Sequence, residues 1–139
     1  MRAWAACAIA LAVLTAGCRR EPTLTYAHLL ERAASWSASV QFAGELADRG
    51  LVPRTYIHDV LATASEEMDS LRNQIAEFDA APPSARSKDA EMCARLAALL
   101  RAGETTGSIP DRIHLRDLEQ QLRGDAERLR GSLPQETRR

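Results

Sequence analysis

The stretch PRTYIHDVLATASEEMDSLRNQIAEFD, residues 53–79, carries the strongest periodic pattern in the chain and decides its fold class. Its apolar residues recur at alternating steps of three and four: Ile57, Leu61, Ala64, Met68, Leu71, Ile75 and Phe78. In an α-helix, that spacing places all of them on one face. We therefore predict a helix over residues 53–79 that buries this face.

The preceding segment, residues 24–49, predicts a first helix. The same spacing recurs there in Tyr26, Leu29, Ala33, Trp36, Val40, Ala43 and Ala47. Gly50 and then Pro53 are typical signals for the end of one helix and the start of the next. Because the turn between them is short, the first two helices are expected to fold back as an antiparallel hairpin.

The segment after residue 79 predicts two more helices. Prolines 82 and 83 interrupt the chain, and a third helix follows over residues 85–102 with Met92, Cys93, Leu96, Leu99 and Leu100 on one side. The sequence GETTG, residues 103–107, is typical of a flexible loop. Ser108, with Asp111 three residues on, indicates the capped start of a fourth helix that extends to residue 131. Its apolar stripe is Ile113, Leu115, Leu118, Leu122, Ala126 and Leu129.

Together these segments predict an all-α fold, a small antiparallel four-helix bundle of two helical hairpins over residues 24–133. Ala, Leu, Arg and Glu dominate and β-branched residues are scarce, which favours helices over strands. Because the third helix is short, we expect the hairpins to pair less tightly than in an idealised bundle. Residues 134–139 are expected to form a disordered tail. The predicted structural core is Leu29, Trp36, Val40, Ile57, Leu61, Met68, Leu71, Ile75, Phe78, Cys93, Leu96, Leu118, Leu122 and Leu129.

The N-terminal segment is different in character from the rest of the chain. Arg2 gives it a positive start, and residues 3–17 are uncharged and mostly Ala, Leu, Val or Ile. The apolar run is shorter than the roughly 20 residues that a membrane-spanning helix needs. A positive start, a short apolar run and small residues at its end are typical of a secretory signal peptide. The alternative is a buried N-terminal helix, which would be apolar on every face.

The residues Leu14-Thr15-Ala16-Gly17-Cys18 at the end of this run resemble the lipobox of bacterial lipoproteins. The resemblance covers residues 1–18 only. It implies that residues 1–17 are a signal peptide that is cleaved, and that the Cys18 thiol carries a diacylglycerol, with palmitate or a similar chain on the new amino group. Residues 18–23 would then be a tether to the membrane. Arg19 follows the cysteine where an Asp would favour inner-membrane retention, which resembles the outer-membrane class facing the periplasm.

The charged residues and the cysteines restrict the partners and the chemistry. The chain has 18 Lys and Arg against 19 Asp and Glu, and no clustered basic face that would predict a nucleic-acid partner. With Cys7 removed and Cys18 lipidated, Cys93 is the remaining thiol, so no internal disulfide is expected. Leu96 and Leu100 share its helical face, which predicts a packed small hydrophobe. The alternatives are a redox sensor, a metal ligand or an intermolecular disulfide.

The histidines raise the question of a metal site. His58 and His114 both lie early in helices that begin at the same end of the bundle, whereas His28 is expected at the other end. With Asp59, Asp111 and Asp117 they could form a surface cluster that holds a metal ion. The simpler interpretation is a set of solvated polar residues at helix starts, where acids interact favourably with the helix dipole. We predict no metal and no cofactor.

Three functions remain after these observations. The first is a lipid-anchored, non-enzymatic interaction or assembly module of the cell envelope, which binds another envelope protein. The alternative is a periplasmic metal or stress sensor that uses the cluster of His58, His114 and the nearby aspartates, or Cys93. An enzyme is not expected, because no nucleophile–base constellation, phosphate-binding loop or haem motif is present.

Overall fold

A computed structural model describes residues 21–109 and 111–133 of the chain. In these residues it contains four α-helices: α1 (Pro22–Asp48), α2 (Arg54–Ala76), α3 (Pro83–Thr106) and α4 (Arg112–Gly131). They pack as a compact bundle, and the described residues contain no strand, so the predicted all-α four-helix fold is confirmed. The predicted signal peptide (residues 1–17), the lipidation site Cys18 and the predicted tail (residues 134–139) lie outside the described residues.

Prolines and glycines mark the helix boundaries. Pro22 and Pro83 occupy the first turns of α1 and α3, where the missing N–H has no intrahelical partner to lose. Gly50 and Gly107 follow α1 and α3 with φ values of 69° and 64°, a left-handed conformation that glycine adopts without steric cost. The predicted stop at Gly50 is therefore confirmed. Residues 22 and 23, predicted as tether, already belong to α1.

Helix α3 is longer than predicted, with 24 residues. The predicted loop at residues 103–107 is wrong, because α3 continues to Thr106 and ends at Gly107. Gly103 is buried on the face that also holds Leu96 and Leu100. Packing of that face outweighs the roughly 1 kcal/mol that a helical glycine costs relative to Ala.

Helix α4 begins later than predicted. Its cap is Asp111 rather than Ser108: the Asp111 Oδ1 atom accepts a hydrogen bond from the backbone N–H of His114 at 3.1 Å. Aspartate is among the best N-cap residues because its side chain satisfies a backbone donor that the helix leaves free.

The helices do not pair most closely within the predicted hairpins. Helix α2 packs most extensively on α3, and α1 packs on α4, while α3 and α4 make few contacts. The expectation of loosely paired hairpins is therefore wrong, because α3 is long enough to follow α2. The buried faces also include small residues, among them Ala34 on α1 and Ala97 on α3.

Two side-chain hydrogen bonds hold α1 against α4. The buried Ser37 hydroxyl donates to the backbone carbonyl of Leu115 at 3.2 Å. The amide of Gln41 donates to Glu119 at 2.8 Å. Because buried polar groups need partners, these bonds also fix the register of the two antiparallel helices.

Most of the predicted core is buried. Eleven of the predicted positions are confirmed: Leu29, Val40, Ile57, Leu61, Met68, Leu71, Ile75, Cys93, Leu96, Leu118 and Leu122. Trp36, Phe78 and Leu129 are less buried than predicted, because they pack against the core but are only partly buried. Each of these three lines a surface cleft or groove, which leaves one side of it accessible.

Ile113 was predicted on the apolar stripe of α4, but it is 77% exposed. At 3.6 residues per turn, a step of two residues rotates a side chain by roughly 200° about the axis. Ile113 therefore points away from the face that buries Leu115. Among the helices that the structure describes, none is both long enough and apolar enough to cross a membrane.

Two helical glycines should respond oppositely to replacement by alanine. A Cβ on Gly44 would lie 2.5 Å from Cγ1 of Ile109, whereas a Cβ on Gly124 would meet nothing within 4 Å. We expect Gly124→Ala to stabilise the protein by about 1 kcal/mol through helix propensity. Gly44→Ala should lower stability, because overpacking of about 1–3 kcal/mol exceeds that gain. Thermal unfolding of both variants checks this, and a stabilised Gly44→Ala would contradict the close approach of Ile109.

Candidate ligand-binding cleft

A cleft of about 490 Å³ opens at the end of the bundle where α1 begins, α2 ends, α3 begins and α4 ends. It combines an apolar wall with four charged side chains. Its lining residues are Thr23, Tyr26, Phe78, Ala80, Ala81, Pro82, Ala85, Lys88, Asp89, Asp125, Arg128, Leu129 and Ser132. A volume in this range, an apolar wall and a few convergent polar groups are typical of a small-molecule site.

The most unusual residue in this cleft is Asp89, an acid that is only 3% exposed. The hydroxyl of Tyr26, itself buried, donates to its Oδ2 atom at 2.8 Å. The other oxygen, Oδ1, is buried and has no hydrogen-bond partner among the described residues. An orphaned acceptor on a buried acid is rare in a folded protein and calls for a specific explanation.

Burial governs the ionisation of this group. It raises the pKa of the Asp89 carboxyl above its usual range, although the Tyr26 hydrogen bond and the positive charges of Lys88 and Arg128 act in the opposite direction. Burial, and next the hydrogen bond to Asp89, raises the pKa of Tyr26, so its phenol stays protonated and remains a donor.

Cys93 lies one turn further along α3 and is fully buried, as its spacing predicted. Burial, with a smaller contribution from Asp89, raises the pKa of its thiol to about 12. Because the thiolate is the reactive form of cysteine, the thiol is inert near neutral pH. This favours the packing interpretation of Cys93 over a redox sensor.

Asp125 forms ion pairs with both positively charged side chains that line the cleft, Lys88 and Arg128. Lys88 Nζ lies 2.7 Å from its Oδ2 atom, and the Arg128 guanidinium pairs with its Oδ1 atom. Both Asp125 oxygens are therefore occupied. Because Lys88 lies on α3 and Asp125 on α4, their ion pair links two helices that otherwise make few contacts. Asp89 is consequently the acid in the cleft with a free acceptor.

The predicted histidine cluster is not assembled. The nearest acids to the His58 ring are Asp59 and Glu104, each at 3.8 Å, rather than Asp111 or Asp117. Asp111 instead caps α4 through the backbone of His114. Within residues 21–109 and 111–133, no three His, Cys, Asp or Glu side chains are placed to hold a metal ion. The candidate set His58, His114, Asp111 and Asp117 is therefore not brought together.

His28 lies at the opposite end from His58, beside Glu31 and Arg130, as the hairpin topology predicted. The sequence interpretation missed the pair of Tyr26 and Asp89. One signal was present: Asp89 precedes Met92 and Cys93 by three and four residues and so lies on an apolar helical face. An acid in such a position is a candidate for a buried polar site.

Comparison with protein-family models, curated proteins and solved structures gives no match to this chain.

Replacing Asp89 by its neutral isostere should reveal the cost of the buried carboxylate. Because its folded-state pKa is raised, Asp89 contributes most to stability below its unfolded pKa, and this contribution is lost as the pH rises through the folded pKa. We expect Asp89→Asn to melt at a higher temperature than the wild type at neutral pH, with the difference shrinking towards about pH 4. Thermal unfolding across a pH series measures this.

The matched control is Asp59→Asn, because the Asp59 side chain is 82% exposed. It should show no comparable pH-dependent gain. If Asp89→Asn and the wild type differ by the same amount at every pH, the raised pKa of Asp89 is refuted.

Proposed function

We propose that this chain is a lipid-anchored protein of the bacterial cell envelope, held through Cys18 and acting as a non-enzymatic interaction or assembly module. In this proposal residues 1–17 are removed, and the bundle faces the periplasm from the outer membrane. Its partner is another envelope protein. The support for the anchor is the lipobox-like sequence Leu14–Cys18.

The observation that carries the interaction role is the distribution of exposed apolar side chains. Four large ones are exposed in the part of the chain that the structure describes: Phe42, Leu51, Tyr56 and Ile113, at 61%, 66%, 45% and 77%. All four lie near the end of the bundle formed by the loops at residues 49–53 and 107–109, which we call the far end. Exposed apolar side chains that lie towards the same end of the bundle favour a protein interaction site there.

The far end also suits the proposed anchor. Helix α1 has 27 residues, so it separates its two ends by about 40 Å at 1.5 Å per residue. An anchor that precedes Pro22 would place the cleft end near the membrane and the far end away from it. The exposed apolar residues would then be presented to partners at a distance from the lipid.

Site-specific photocrosslinking in intact cells tests this proposal. A photoreactive residue at Ile113 or Tyr56 should capture one defined envelope protein, because these side chains would lie at the interface. The matched control is the same residue at Glu91, an exposed position on α3. Anchoring through Cys18 predicts that Cys18→Ser weakens the crosslink. Equal crosslinking from Glu91, or none from the far end, would contradict the interaction role.

The sensor alternative has weaker support. Its histidines and aspartates are not brought together in the described residues, and burial keeps the Cys93 thiol protonated. We therefore retain the interaction module as the proposed function.

A further inference from the structure

At the cleft end of the bundle, the carboxylate of Asp89 is held in place by one oxygen, and its other oxygen receives no hydrogen bond from the described residues. Tyr26 and Asp89 are both almost fully buried, and the Tyr26 hydroxyl fixes the carboxylate through Oδ2. The neighbouring atom Oδ1 has no donor within the described residues. Because leaving a buried carboxylate oxygen unpaired is costly, a ligand that supplies a donor here would gain affinity from an interaction that folding leaves unmade.

The wall of the cleft indicates the body of such a ligand. Phe78 packs on the ring of Tyr26 with centroids 5.1 Å apart. Ala81, Pro82 and Leu129 complete an apolar surface beside Asp89. The volume of about 490 Å³ suits a small molecule with an apolar group.

The charges indicate the polar group. Lys88 and Arg128 are already bound to Asp125, whereas Asp89 retains a free oxygen. A ligand with a carboxylate would be repelled by the negative charge of Asp89. A guanidinium presents its five donors in a rigid planar fork suited to two acceptor oxygens, whereas an ammonium is compact and can direct one of its three donors at a single oxygen in a charge-assisted hydrogen bond.

We propose that this cleft binds a small molecule with a primary ammonium group on an apolar body, and that the ammonium donates to Oδ1 of Asp89. The proposal does not depend on the lipid anchor or on an envelope partner. It gives the buried acid a role that the packing of the bundle does not require.

The probe is protonated 2-phenylethylamine, titrated into the full-length chain and followed by amide NMR. Saturable shifts should concentrate in residues 23–26, 78–89 and 125–132, the segments that line the cleft. 2-Phenylethanol has the same apolar body without the charge and should bind about tenfold more weakly. An alcohol that binds as tightly as the amine, or an amine that gives no saturable shift, would overturn the proposal.

Two variants separate the acid from the apolar wall. Asp89→Asn should weaken amine binding by about tenfold or more while it leaves the alcohol nearly unchanged. Ala85→Phe should block the cleft and weaken both ligands, because Ala85 lines it. Glu91→Gln, an exposed change on α3, is the control that should alter neither. Unchanged amine affinity in Asp89→Asn would refute the role of Asp89.

A pH series gives an independent measurement on the unmodified chain, in case Asp89→Asn perturbs folding. Acidification protonates Asp89 while the amine stays charged, so amine binding should weaken and alcohol binding should not. Amine affinity that stays constant as the pH falls through the titration of Asp89 would refute the proposal.

Discussion

The variant Ile75→Ala is expected to lose about 2–5 kcal/mol of unfolding free energy. Ile75 is fully buried and belongs to the core cluster that joins the helices. Truncation removes its apolar transfer energy and leaves a cavity that a close-packed interior fills only in part. Since small domains are typically stable by about 5–15 kcal/mol, the loss would be a large fraction of the total. Urea unfolding measures it.

The matched control is Ile113→Ala, the same chemical change at a side chain that is 77% exposed. It should alter stability by less than about 0.5 kcal/mol, as expected for a surface position. Both residues were placed on apolar helical stripes from the sequence, so the pair tests what the tertiary structure adds. Similar losses in the two variants would contradict the packing of this bundle.

The variant Cys18→Ser is expected to abolish lipid attachment completely, because the hydroxyl of serine cannot replace the thiol that the lipobox resemblance makes the acceptor. In cells fed labelled palmitate, the wild-type chain should carry label in the membrane fraction, and the variant should carry none. Stable anchoring takes more than one acyl chain, since a single chain binds only marginally.

The control is Cys7→Ser, which changes another cysteine of the proposed signal segment and should leave labelling intact. Neither residue belongs to the described bundle, whose first helix begins at Pro22. In the proposed protein neither residue is part of the bundle, so the folded domain should keep its thermal stability in both variants. A wild-type chain without label, or a Cys18→Ser variant that keeps it, would refute the proposed anchor while leaving the cleft proposal untouched.

The helices and their buried faces could be predicted from the sequence because helical periodicity is a local property. The spacing from Ile57 to Ile75 predicted a buried face that the structure confirms. Gly50 predicted a helix end for the same local reason. The errors arose where packing outweighs local preference: Gly103 is helical because its face is buried, and Gly107 ends the helix instead.

The candidate sites were harder to predict. The position of a residue along its helix does not tell how that helix is rotated about its axis, or which side chain of another helix the residue meets. His58 and His114 do lie early in helices that begin at the same end, but the ring of His58 lies beside Glu104 of α3, not beside Asp111. Asp89 was recognisable as an acid on an apolar face. Its partner Tyr26 is 63 residues away in the chain, and no local pattern joins two such residues.

The sequence by itself determined that this protein is helical and which face of most helices turns inward, because 3.6 residues per turn fixes each side chain relative to its neighbours. Only the tertiary structure decided that α2 pairs most closely with α3 and α1 with α4. It alone also placed Tyr26 against Asp89 and left Ile113 exposed. These outcomes depend on how helix surfaces fit together in space, a property of several helices at once that no single segment encodes.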